Sequence, residues 1–201
     1  MAERPHHRPM MPGDQLFAEL ESGADPLLLQ EAADRAAALL VRGARASDDA
    51  GVAERVVHLA ETEGLEVLAE LWSGSPADSL AGALWRLYLL RDWVHRAPQE
   101  VAAEYEAGRG AAPFARVVAG VADPPGAEEL KAMVDQVLRG IAGSDFADVL
   151  YRAAAFAHVV AVGRAILTQR SDAPHQEVPR MLTLAEQLEA AARLEMRGEL
   201  A

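Results

Sequence analysis

Along most of this chain apolar residues recur at intervals of three and four. Runs of alternating β-branched residues, the mark of a half-buried strand, are nearly missing. The pattern predicts helices and no sheet, and the abundance of alanine favours the same outcome intrinsically. Asp25-Pro26 gives the first strong start signal, a capping side chain followed by a proline whose missing N–H is harmless at the first helical position. From there to about Ala44, leucines and alanines at 28, 29, 32, 33, 36, 39 and 40 form one face, with Glu31, Asp34, Arg35 and Arg42 opposite. A helix over about 49–63, inward through Val52, Val56, Leu59 and Ala60, stops at Gly64, where a left-handed C-cap is natural. A short helix over 65–72 adds Leu65, Leu68 and Trp72.

Ser75-Pro76 repeats the start signal and opens a helix over 76–96, which Pro98 ends. Its apolar side chains lie on every side: Leu80, Leu84, Leu87 and Val94 on one, Trp85 and Leu89 on another, Leu90 and Trp93 on a third. A helix of that kind belongs at the centre of a fold. A further helix through Val101 and Tyr105 stops at Gly108. The loop "GRGAAP" follows, then a short helix facing inward through Phe114, Val117, Val118 and Val121. "DPPG" at 123–126 is the firmest turn, because two prolines and a glycine leave the backbone almost no helical option. Beyond it come a helix with Leu130, Met133, Val134, Val137 and Leu138 inward, and a long one over 145–168 that is again apolar all round. The polar linker "QRSDAPHQEVP" leads to a last helix from about 180, striped by Met181, Leu184, Ala185, Leu188 and Ala192.

These elements predict an all-α fold. Residues 14–201 form a single domain of eight or nine helices, packed ridge into groove around the helices 76–96 and 145–168, with a short α-solenoid of helix pairs as the alternative. Residues 1–13, with three prolines and little to bury, are expected to be a disordered arm. Sliding the chain on itself by 66 residues sets "GALWRLYLLRDWV" over "DVLYRAAAFAHVV" and Asp92 over His158. Five identities over residues 64–97 are little above what an alanine-rich helical chain gives by chance.

Charge and composition narrow the function. Nineteen Lys and Arg against 31 Asp and Glu leave a net charge of −12, which repels phosphate backbones and disfavours nonspecific nucleic-acid binding. The chain has no cysteine, which excludes disulfides, thiolate nucleophiles and thiolate metal sites and is compatible with a reducing cytoplasm. The N-terminus lacks the apolar run of a secretory signal. The two most apolar stretches, 79–94 and 146–167, are interrupted by Arg86, Arg91 and Asp92 and by Asp148, Arg152, His158 and Arg164, so neither reads as a membrane span.

Candidate chemistry is sparse. Arg91, Asp92, His95 and His158 lie on the two all-apolar helices, and a functional reading has them converge in a polar pocket, with a carboxylate tuning a histidine. The structural reading has Arg91 and His95 favouring the C-terminal helix dipole, with Asp92 and His158 as satisfied core polar groups, and it is the expected one. His6 and His7 have no third ligand nearby, so no metal and no cofactor is expected. No HExxH, nucleotide-binding glycine loop, GxSxG elbow or EF-hand loop occurs.

"GADPLLLQEAADRAAALLVRGAR", "LAETEGLEVLAELWSGSPADSLAGALWRLYLLRDWVHRAP" and "AEQLEAAARL" together resemble a family of small helical proteins from high-GC actinobacteria. Some members carry the label of an RNA polymerase β subunit, whose size and motifs this chain lacks. The resemblance implies a cytoplasmic bacterial helical protein and assigns no site residue. The expected function is a noncatalytic protein-interaction or regulatory module with an acidic surface, for which homo-oligomerisation is compatible. A small-molecule sensor or enzyme built on Arg91, Asp92, His95 and His158 is the alternative.

Overall fold

A computed structural model describes residues 26–42, 65–110, 126–138, 146–169 and 177–201. Among them are seven helices and no strand: α1 Pro26–Arg42, α2 Leu65–Trp72, α3 Leu80–Arg96, α4 Pro98–Arg109, α5 Ala127–Leu138, α6 Phe146–Gln169 and α7 Glu177–Met196. The expected arm 1–13 and the expected helices over 49–63 and around Phe114–Val121 lie outside the described residues.

Two helix starts differ from the sequence reading. α3 begins at Leu80 rather than at 76, because Ser79, not Ser75, is its N-cap. The Ser79 hydroxyl accepts from the Gly82 N–H at 3.0 Å while its own backbone is extended, as capping requires. α7 begins at Glu177 rather than near 180, so Pro179 sits inside its first turn, where backbone N–H groups have no helical acceptor to lose.

α3 packs against every other described helix, an arrangement that favours a bundle over a solenoid, in which each repeat meets only its neighbours. Leu84, Leu87, Leu90 and Val94 on α3 and Leu150, Phe156 and Val160 on α6 are almost wholly buried, as helices apolar on all sides must be. By length and mean hydropathy α6 is long and apolar enough to cross a membrane, yet 67% of its most apolar window is buried within the fold. Its apolar character is thus spent on packing.

The α4–α6 crossing is close enough to bring backbone onto backbone. A Cβ at Gly108 would lie 1.8 Å from the Val159 carbonyl oxygen, and one at Gly163 would lie 1.7 Å from that of Glu104. Residues four apart on one helix face residues four apart on the other in reverse order, so the helices cross antiparallel. At its far end the chain turns back after α7 in a Schellman motif. The Glu199 N–H bonds to the Leu194 carbonyl and the Gly198 N–H to that of Glu195, with Gly198 left-handed at φ 68°. That reversal sends Leu200 into the core and sets the Ala201 oxygen 2.7 Å from the Leu80 N–H at the start of α3.

Candidate binding groove

The structure gives Arg91, Asp92, His95 and His158 separate surroundings. Arg91 pairs with Asp135 of α5, and Asp92 accepts from Arg96, one turn on, at 3.0 Å. His95 is exposed near the end of α3. His158 Nε2 lies 3.9 Å from Glu189 Oε2 of α7, a carboxylate that also pairs with Arg193. No hydrogen bond or ion pair joins any two of the four. The positions that the 66-residue shift aligns, Asp92 and His158, therefore answer to different partners, and both are half-buried rather than core groups.

The charge that is buried is one the sequence reading passed over. Arg164 of α6 and Glu104 of α4 are 8% and 6% exposed, and they meet in a bidentate pair, Nε to Oε1 at 2.7 Å and Nη2 to Oε2 at 3.0 Å. Glu100, one turn earlier on α4, adds a contact at 3.5 Å, and the guanidinium stands 5.0 Å from the centre of the Trp93 ring. The signal was available: an arginine in a helix that is apolar all round needs a carboxylate, and Glu100 and Glu104 offer two on one face.

Arg164 and Trp93 close one end of a groove between α3 and the first half of α7. The groove continues past Leu89, Arg180 and Leu184, with a volume of about 250 Å3 at the Trp93 end. A depression of about 410 Å3 adjoins it at the Trp85 end, sharing Leu89, Arg180 and Leu184, where Arg86, Pro179, Thr183 and Gln187 join the lining. Leu89 is 37% exposed, one of five large apolar side chains left open among the described residues. Among the described residues no carboxylate lines either part.

Arg86 shapes the groove floor. Its Nε donates to Gln187 Oε1 at 2.6 Å and its Nη1 to the Gly82 carbonyl at 2.7 Å, neutral acceptors that fix the fork without cancelling its charge. Burial pushes its pKa down, and the field of Asp78 opposes that shift without forming an ion pair. Among the described residues every Lys and Arg takes part in an ion pair except Arg86, Arg109 and Arg180. Two of those three line this groove. In the sequence the one hint for Arg86 is that positions 82, 83, 89 and 90, three and four residues away on its helix, hold no carboxylate.

A larger depression, about 690 Å3, lies where Pro26 and Leu29 of α1 face Leu68 and Leu71 of α2 beside exposed Leu27 and Leu28. Among the described residues it holds Glu70 and no cation, and the segments that flank it in sequence lie outside the described residues. Among the described residues no three His, Asp or Glu side chains gather as a metal would require, and His6 and His7 are not among them. Comparison of the chain with protein-family models, with curated proteins and with solved structures gives no match.

Proposed function

We propose that the protein is a noncatalytic interaction module of the cytoplasm that takes a segment of a protein partner into the groove between α3 and α7. The observation that carries this reading is Leu89. It stands exposed in an open trough that Trp85, Trp93 and Leu184 also line, beside polar hydrogen-bonding groups already fixed by the fold. An apolar strip with a few positioned polar groups is the makeup of a partner site. An enclosed small-molecule pocket buries most of its ligand, whereas this trough is walled on one side by exposed residues, Pro179 and Arg180 among them. Chemistry at Arg91, Asp92, His95 and His158 has less support, since three of the four are engaged with separate partners on α3, α5 and α7.

The test is affinity capture from the cells that make the protein, with wild type beside Leu89→Glu, a change at an exposed position that should leave the fold intact. A partner retained by wild type and released by the variant supports the reading. The same set of proteins on both baits overturns it.

A further inference from the structure

The groove's two unpaired guanidiniums say what kind of segment would fill it. We infer that it selects a short acidic-apolar protein segment, whose carboxylate meets Arg86 and Arg180 while a flanking leucine or aromatic side chain lies against Trp85, Leu89 and Leu184. This inference rests on the groove being the partner site.

Three observations carry it. First, the fold pairs all but three of the described cations with a carboxylate, although acidic residues outnumber basic ones by 31 to 19 in the chain, and two of those three, Arg86 and Arg180, line this one groove. Second, both line the same mostly apolar trough, so one short segment can set a carboxylate against them with an apolar side chain beside it, and charge-assisted hydrogen bonds are the stronger kind. Third, Arg86 is pre-oriented: Gln187 and the Gly82 carbonyl hold its Nε and Nη1, so a ligand meets a guanidinium whose rotamer is already fixed.

The net charge of −12 sets the limit. Screening over about 8 Å at physiological ionic strength confines attraction to the groove itself. One or two carboxylates placed beside apolar groups are favoured there. A polyanion such as nucleic acid, which must also cover the acidic surface, is not.

A random twelve-residue peptide library displayed on phage, selected on the full-length protein, tests this. The expected winners carry Asp or Glu next to Leu, Phe or Trp. The best of them, synthesised with a fluorophore, should bind about tenfold or more weakly to Arg180→Gln and to Arg86→Gln, and a version with Asn or Gln for its carboxylates should lose as much. Arg180 is exposed and has no ion-pair partner among the described residues, so Arg180→Glu, a charge reversal, keeps the test valid if Arg86→Gln unfolds the chain. Basic or uncharged winners, no enrichment, or an acidic winner indifferent to Arg180→Glu would each overturn the inference. If such non-acidic winners are nevertheless lost on Leu89→Glu, the groove stands as the partner site and only its acidic preference falls. Winners that bind Leu89→Glu as well as wild type remove both.

Discussion

Gly163 lies against the Glu104 carbonyl so closely that a methyl group on it would stand 1.7 Å from that oxygen, well inside contact distance. The obstacle is backbone, which cannot swing aside as a side-chain tip can. Gly163→Ala must therefore spread α4 from α6 and disturb this close crossing. A loss of about 3 kcal/mol, the upper end for overpacking, is expected in urea unfolding. Gly74→Ala is the control: nothing lies within 4 Å of its new methyl, and it should stay within about 0.5 kcal/mol of wild type. Equal effects at the two positions would mean that the close crossing does not bear on stability.

Beside the same crossing, Arg164 and Glu104 test whether a buried pair stabilises or only specifies. Removing one partner leaves the other's charge buried without its bidentate mate, so Glu104→Leu or Arg164→Met alone should cost about 3–5 kcal/mol. The double replacement Arg164→Met/Glu104→Leu leaves no charge and fills similar volume, and should recover most of that loss. Urea midpoints of the four proteins give the answer. A double variant as unstable as the sum of the singles would show no coupling between the two side chains, and so that neither single loss came from leaving the other charge buried.

What the sequence makes legible is what periodicity reports. The all-round apolar faces of 76–96 and 145–168 mark α3 and α6 as central, and Leu84 and Leu150 are fully buried. The α3 start is misplaced because Ser75-Pro76 and Ser79 both satisfy local capping rules, and only the hydroxyl contact to the Gly82 N–H decides between them. The site is less legible. Arg91, Asp92, His95 and His158 stand out for sitting among apolar letters, yet a half-buried helix position readily finds Asp135, Arg96 or Glu189 within reach. Arg86 and Arg180 look like ordinary surface charges. What sets them apart is that both lack an ion-pair partner among the described residues and line one trough, a property of the three-dimensional arrangement of α3 and α7 and not of spacing along either helix.

Tyr88 supplies a pH test. Burial raises its phenol pKa, and the fields of Asp92 and Glu66 raise it further, while Arg96 and Arg91 pull the other way. The fold thus prefers the neutral phenol. Its contribution is complete below the unfolded value of about 10 and is lost as pH rises through the higher folded value. The stability difference between wild type and Tyr88→Phe, from urea melts at pH 8 through 11, should shift toward the phenylalanine variant above pH 10. Parallel pH profiles would show that the Tyr88 phenolate forms in the folded protein without penalty.

The last residues make a prediction that the helix pattern alone does not. Beyond α7 the chain reverses at left-handed Gly198, the Arg42 Nη2 donates to the Leu200 carbonyl at 3.3 Å, and the Leu200 side chain is buried. The Ala201 oxygen then takes one of the otherwise unpaired N–H groups at the start of α3. If this tail completes the core, Leu200→Ala should cost about 2–5 kcal/mol, as at other buried leucines. Gly198→Ala, which forces a side chain into the left-handed region, should cost about 1–2 kcal/mol by a separate route. Neither change touches the groove between α3 and α7, so selected peptides should bind both variants as they bind wild type at temperatures where all three are folded. Thermal melts check the first part and fluorescence anisotropy the second. A Leu200→Ala protein with an unshifted melting temperature would show that the tail rests on the bundle without sealing it.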